Sequence, residues 1–404
     1  MARTIAIMAA EPSGDLQGGA LASALLQRDP DLSLIGIGCS AMARAGVKLM
    51  MDSSVWSTIG PAEALARLPA LYLAYRKMRH MLVRARPDLT VVIDAPALHM
   101  RLAGYLARKS LRTLYYFPPS AWSPNPERAR QITQRVDAVV GAFRFTYRTY
   151  CENGLRMAYY GHPLVDLVAR GSPGQAARQL GLPEGRYVAL LPGSRTQEVR
   201  LLLPVALEVA RRLRGRYPDV EFLLPAASLS IEKKIRRRAG KLPDWVRVFP
   251  GRSREVLAAS RLALMASGSA TLEAAILGVP MVVFYKMNTF DYNLGQFLIA
   301  RGLLKVPRFV LPNLVLQEDI LPELLQNDAN PDRVEREAVR LFEEGPERSR
   351  MVEALDRVRA ALDGPDVVPR IAAFVDHFSR SRDFDRAHAA VERERGAPCG
   401  SRAV

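Results

Sequence analysis

Apolar residues in this chain come in short continuous blocks, separated by stretches of helical period. "TIAIMAA" (residues 4–10) is such a block, followed by a helical pattern over about 16–27. "SLIGIG", "LTVVIDAP" and "RTLYYF" follow, with the helical "HMRLAGYLARK" between the last two. Continuous apolar runs suit strands buried on both faces, and helical crossovers between them imply a parallel sheet. The pattern pauses at residues 161–185, where Gly and Pro cluster. It restarts with strands "YVALL", "EFLLP", "VRVFP", "RLALMA" and "MVVFY", separated by helices. After Asn330 the remaining pattern is helical. The expected architecture is α/β, with two Rossmann-like doubly wound parallel-sheet domains facing across a cleft. Their bounds fall at 1–165 and 166–330, with C-terminal helices over 331–379 and a charged, flexible tail over 380–404. Ligands of such sheets bind beyond the carboxyl ends of the strands.

A length of 404 residues suits two domains, and 49% hydrophobic content is enough to build their cores. Cys39, Cys151 and Cys399 are far apart and lack metal-type spacing, which argues against a disulfide framework. No run approaches the ~18 apolar residues of a spanning helix. The charge matters more. With 57 Lys and Arg against 41 Asp and Glu, the net charge is +16. A field of that sign attracts anionic lipid, phosphorylated substrates or nucleic acid. No aromatic stacking row or RNP-type motif accompanies it, so nucleic acid is not expected as a partner.

Three turns in the second half open helices with Gly and Ser: "PGSR" at 192–195, "PGRSRE" at 250–255 and "ASGSATLE" at 266–273. Helix starts of this kind favour anions. Three together suggest a nucleoside diphosphate, with Arg195 balancing its charge and Glu273 reaching a ribose diol. Neither the Walker pattern nor G-x-G-x-x-G is present, which disfavours a kinase or a dehydrogenase. In the first half, "AEPSGD" places Ser13, Gly14 and Asp15 at a strand-to-helix turn. A simple helix cap explains them equally well. Asp94 ends an apolar strand, where desolvation can raise a carboxylate toward useful base strength. Its bland reading is a cap for the next helix. No metal site is apparent and no cofactor is expected; the Asp-x-Asp in "RDPDL" reads as a solvated loop.

"EPSGD", "IDAP", "PPSAW", "GHPLVD", "LLPGSRTQEV", "ASGSATLEAAILGVPMVVFYKM" and "LPNL…LPELLQ" occur in order between about residues 4 and 330. Together they resemble the lipid-A-disaccharide synthase family, inverting glycosyltransferases of GT-B fold. The resemblance implies transfer of a 2,3-diacylglucosamine from UDP to a 2,3-diacylglucosamine 1-phosphate, giving a β(1→6) lipid disaccharide and UDP. It implies Asp94 as the base for the acceptor's 6-hydroxyl. Gly193, Ser194 and Arg195 would meet the donor phosphates. Gly251 would lie near uracil, and Ser267, Gly268, Ser269 and Thr271 would line the diphosphate. Glu273 would take the ribose and Asn313 would face the sugar. Ser13, Gly14, Asp15, Ser120, Trp122 and His162 fall on the acceptor side, His162 being equally readable as structural.

Two departures fall in the acceptor half. Ala97 stands where the family pattern has a second Asp, and "PPSAWSPN" (118–125) lacks an aromatic and an Arg. A related UDP-sugar transferase with another acceptor therefore stays open, as do a UDP-sugar 2-epimerase and a non-catalytic polyanion binder. Residues 56–72 add an apolar excess around Pro69, which should kink or break the helix. Trp56, Leu65, Leu68, Leu71 and Tyr72 there suit an acyl-binding surface, against the bland reading of a core helix. The expected location is the cytoplasm, peripheral on the inner face of the cytoplasmic membrane; the resemblance leaves room for a homodimer.

Overall fold

The computed structural model describes residues 3–53, 68–118, 126–288, 292–293, 297, 301 and 308–396. The chain divides into two compact units, Met1–Asp166 with Asp363–Val404, and Leu167–Leu362.

The first unit is built on seven parallel strands: β1 (Thr4–Ala9), β2 (Ser33–Gly38), β3 (Lys48–Asp52), β4 (Leu89–Ile93), β5 (Thr113–Tyr116), β6 (Ala138–Gly141) and β7 (Ala158–Tyr159). Their order in the sheet is β3-β2-β1-β4-β5-β6-β7. β1, β4 and β5 are almost completely buried, as continuous apolar runs in a two-sided sheet must be. On one face, Ile5, Ile7, Val91 and Ile93 pack with helix Pro12–Arg28. On the other, Met8, Val92 and Tyr115 pack with Met78 and Leu82 of helix Leu68–Ala85 and Leu102 of helix Pro96–Ala107. The described part of helix Leu68–Ala85 begins one residue before Pro69.

The C-terminal helices part company. Pro331–Phe342 and Pro346–Ala361 lie in the second unit, whereas Val367–Ser381 returns to the first. There Ile371, Phe374 and Phe378 join the core beside β1 and β4. Each such side chain removed from water contributes about 1.5–3 kcal/mol. Polar contacts fix the angle of return. Arg3 bridges Asp29 and Asp376, and Arg380 also reaches Asp29. The expected solvated loop at Asp29 is thus tied down by two arginines. A further helix, Phe384–Gly396, occupies most of the expected tail and buries Ala387 and Val391.

The second unit carries six parallel strands: β8 (Arg186–Leu191), β9 (Val220–Ala226), β10 (Val246–Pro250), β11 (Leu262–Met265), β12 (Met281–Tyr285) and β13 (Glu323–Leu325). Their order is β10-β9-β8-β11-β12-β13. In both sheets the chain winds outward in one direction, then crosses back to continue in the other. The reversal falls between β1 and β4 in the first unit and between β8 and β11 in the second. Such switch points open a crevice beyond the strand ends, where open α/β sheets bind ligands.

Candidate functional sites at the two switch points

In the first unit, Ala9 of β1 and Ile93 of β4 are register partners. The "EPSGD" turn and Asp94 therefore leave the sheet side by side. Gly14 is buried between them, and a Cβ there would lie 3.4 Å from Ala9 Cβ and 3.6 Å from Ile93 Cγ2. Asp94 is half-buried and begins a sharp bend. Its φ is 52° and that of Ala95 is 45°. Two successive non-glycine residues in the left-handed region cost about 1–2 kcal/mol each. Pro96 then starts the next helix with its φ already suitable.

Three hydrogen bonds hold this elbow. The Asp94 amide donates to Tyr116 O at 3.1 Å. The Asp94 carbonyl accepts from Tyr115 Oη at 2.9 Å and from His99 Nδ1 at 2.8 Å. Burial pushes the Tyr115 phenol above its usual range, and the Asp94 charge adds to the shift. Burial also lowers His99 to about 4, opposed by hydrogen bonds to the Asp94 and Ile93 carbonyls. Tyr115 is therefore a phenol and His99 a neutral imidazole near neutral pH, and both can donate.

The neighbouring residues have structural duties. Asp15 is buried, and its carboxylate accepts from the amides of Cys39 (2.6 Å), Ala41 (2.9 Å) and Met42 (3.2 Å). It thereby caps helix Ser40–Arg44, which is the simple-cap reading of this turn. Ser13 is exposed on the same turn. His162 is buried between the Phe117 and Phe143 rings, at 5.5 and 5.0 Å. Its Nδ1 accepts from the Leu164 amide, and burial lowers its pKa to about 3. A neutral, ring-packed imidazole of this kind fits the structural one of its two readings. Trp56, Leu65, Ser120, Trp122 and the Leu68 side chain lie outside the described residues. Leu71 is half-buried, and Tyr72 and Leu73 are 59% and 62% exposed. Farther along the helix, Met78 and Leu82 face the core.

In the second unit, Leu191 of β8 pairs with Met265 of β11. The turns at 192–195 and 266–269 thus leave adjacent strands. The first turn differs from a bare anion nest. The Glu198 carboxylate folds back and accepts from the amides of Ser194 (2.8 Å) and Arg195 (3.1 Å). Tyr285 Oη, from the end of β12, donates to the same carboxylate at 3.3 Å. Burial, reinforced by the Glu198 charge, pushes that phenol up to about 12. Gly193 makes the arrangement feasible. Its φ is 112°, and a Cβ there would stand 2.3 Å from Glu198 Oε2. The backbone donors are thus turned inward, while Ser194 and Arg195 are exposed. The turn therefore presents a hydroxyl and a guanidinium at its surface, with the Ser194 and Arg195 amides already engaged.

The second turn is similarly organised. Ser267 Oγ donates to Phe309 O at 2.8 Å. Thr271, fully buried, donates to Gly268 O at 2.7 Å, back-bonding within the first turn of helix Ala270–Leu277. Ser269 is exposed, and the space around Gly268 is open. Glu273 accepts from Arg254 Nε at 2.9 Å, while Arg254 Nη1 holds Leu167 O. Asn313 is completely buried. It donates to Leu321 O and Glu323 Oε1 and accepts from the amides of Ile320 and Leu321, all within 3.2 Å. Its amide is saturated, so it braces its loop and does not face a sugar. Glu323 also accepts from the Phe309 and Val310 amides. The network therefore runs from Asn313 through Glu323 and Phe309 to Ser267. Gly251 follows the edge strand β10, with φ 70° and its amide on Ala226 O at 2.8 Å.

Sequence reading did not identify Tyr115, His99, Glu198, Tyr285, Arg254 or Glu323. Glu198 left a usable signal, an acid three residues after a polar N-cap. His99 lies five residues from the carbonyl it bonds, in a helix whose apolar neighbours give it no distinguishing pattern; for the others the contacts join more distant segments and leave no local trace.

Comparison with known proteins draws these features together. The family model described as lipid-A-disaccharide synthetase matches residues 5–364. The lipid-A-disaccharide synthase of Geobacter sulfurreducens is 36% identical over 374 residues, which covers 92% of this chain and 96% of that protein. Among solved structures, a Listeria monocytogenes protein described as a UDP-N-acetylglucosamine 2-epimerase aligns with a TM-score of 0.65 at 13% identity, over 95% of this chain and 98% of its own. The glycosyltransferase of kitacinnamycin aligns with a TM-score of 0.57 at 16% identity, over 93% and 98%. At such identities the structural likeness speaks for the fold alone, the two-sheet GT-B type.

Proposed function

The chain belongs to the lipid-A-disaccharide synthase family, and from that membership we infer the reaction and the residues that serve it. It is a glycosyltransferase. It moves a 2,3-diacylglucosamine unit from UDP to the 6-hydroxyl of a 2,3-diacylglucosamine 1-phosphate, forming a β(1→6) disaccharide and UDP. In the proposed step the acceptor oxygen attacks the donor's anomeric carbon. The bond from that carbon to the diphosphate breaks, and the configuration inverts. Asp94 takes the hydroxyl proton, and the electron pair leaves on UDP.

Arg195 balances the charge developing on the leaving diphosphate. The Ser194 and Ser269 hydroxyls and the open backbone at Gly268 supply its remaining contacts. Glu273 receives the ribose hydroxyls, oriented by Arg254. Gly251 borders the uracil, and Asn313 positions the loop that ends on Ser267. The observation that carries this reading is the placement of the family's motifs at both switch points, carboxylate in one unit and guanidinium in the other.

The enzyme works at the inner face of the cytoplasmic membrane in this reading. Among the described residues no helix is long and apolar enough to cross a membrane. Tyr72 and Leu73 are exposed beside the exposed Arg76 and Lys77, a pairing suited to a headgroup boundary, and the chain carries +16. Mass spectrometry of products from UDP-diacylglucosamine, with and without the monosaccharide acceptor, tests the function. Acceptor-dependent disaccharide is expected. UDP release without it would point to the different acceptor that Ala97 and residues 122–125 leave open.

A further inference from the structure

We propose that Tyr115 and His99 are positioning residues, which aim the Asp94 carboxylate by holding its backbone carbonyl. The inference rests on Asp94 being the base. Asp94 O lies beyond the strand end, and two side chains converge on it from separate elements, Tyr115 from β5 and His99 from the helix after β4. A carbonyl oxygen has two lone pairs, so two donors saturate it. They thereby fix the plane of the Asp94–Ala95 peptide. That plane ends on the left-handed φ of Ala95, 45°, and Asp94 before it is also left-handed, at 52°.

Turning the plane changes ψ of Asp94 and φ of Ala95, so Ala95 could relax toward an ordinary region and the elbow that carries the Asp94 side chain would repack around it. The donors oppose that relaxation. Packing alone does not call for these side chains. Tyr115 is completely buried, and Phe would fill the same space without a hydroxyl to satisfy. His99 is 1% exposed, and its imidazole likewise puts a polar atom in the core. Both polar tips end on one carbonyl, at the elbow that carries the base.

The test compares Tyr115→Phe, His99→Leu and Asp94→Asn in the disaccharide-forming assay, with UDP binding by calorimetry. Tyr115→Phe should lower kcat about 10-fold, with KM for both substrates and UDP affinity within 2-fold. His99→Leu should behave alike if it folds. Adding Ala95→Gly to Tyr115→Phe should recover at least ~3-fold in kcat, because glycine adopts positive φ without strain. A purely structural loss would gain nothing from that glycine. Unchanged kcat in Tyr115→Phe beside an inactive Asp94→Asn would overturn the inference and leave the base intact. A kcat loss without glycine rescue would also overturn it. Turnover persisting in Asp94→Asn would remove the base, and this inference with it.

Discussion

Glu198→Ala should damage the second unit more than its place in the first turn of a helix suggests. Two backbone amides donate to this carboxylate, at 2.8 and 3.1 Å. Hydrogen bonds to a charged group contribute about 1.5–3 kcal/mol each. Ser194 is exposed, so water can replace part of this, and the lower end applies. The Tyr285 hydroxyl, at 3.3 Å, adds a weak third bond. The Arg195 ion pair, with a guanidinium 56% exposed, adds nothing measurable. The expected loss is about 3–4 kcal/mol. For a unit of this size that lowers Tm by about 6–15 °C. Gly193→Ala should reproduce it, since the new methyl would displace the same carboxylate. Differential scanning calorimetry reads both variants. A Tm within about 2 °C of wild type in Glu198→Ala would refute the idea that this carboxylate organises the turn.

Arg195→Ala should leave the fold intact and weaken UDP binding about 10-fold, read by calorimetry; unchanged affinity would remove Arg195 from the diphosphate. Asn313→Ala strips four hydrogen bonds from a buried loop and should cost about 3 kcal/mol or more in urea unfolding. His162 titrates at about 3 in the fold against about 6.5 when unfolded. The unfolded chain binds the extra proton between those values, so this contribution is full above pH 6.5 and falls as pH drops, by up to ~1.4 kcal/mol per unit. His162→Gln should therefore lose about 2–3 kcal/mol less than wild type between pH 6.5 and 4.5; parallel stability curves would contradict the neutral, buried assignment.

The sheets were legible because both their faces are covered. Val91, Val92 and Ile93, or Val188 through Leu191, read as strand without any help from periodicity. The short edge strands β3, β7 and β13 escaped notice, and so did the buried β6, since two to five residues carry little pattern. The return of helix Val367–Ser381 to the first unit was also hidden. Its apolar stripe announces that it packs, but only Arg3, Asp29 and Arg112 in three dimensions say where. Motif residues were found, while their duties were less readable. Asp15, Thr271 and Asn313 carry ligand-like chemistry, yet each spends its hydrogen bonds on nearby backbone or core. That choice depends on folded distances, which spacing along the chain does not encode.

The central claim divides the chemistry between Asp94 and the nucleotide turns. Asp94→Ala, assayed for disaccharide formation and for UDP binding on the same preparation, tests it most directly. Loss of a general base costs about 10²–10⁴ in rate. Transfer should fall by that factor while UDP affinity and Tm stay at wild-type values. Near-normal disaccharide formation by the folded variant would contradict the account.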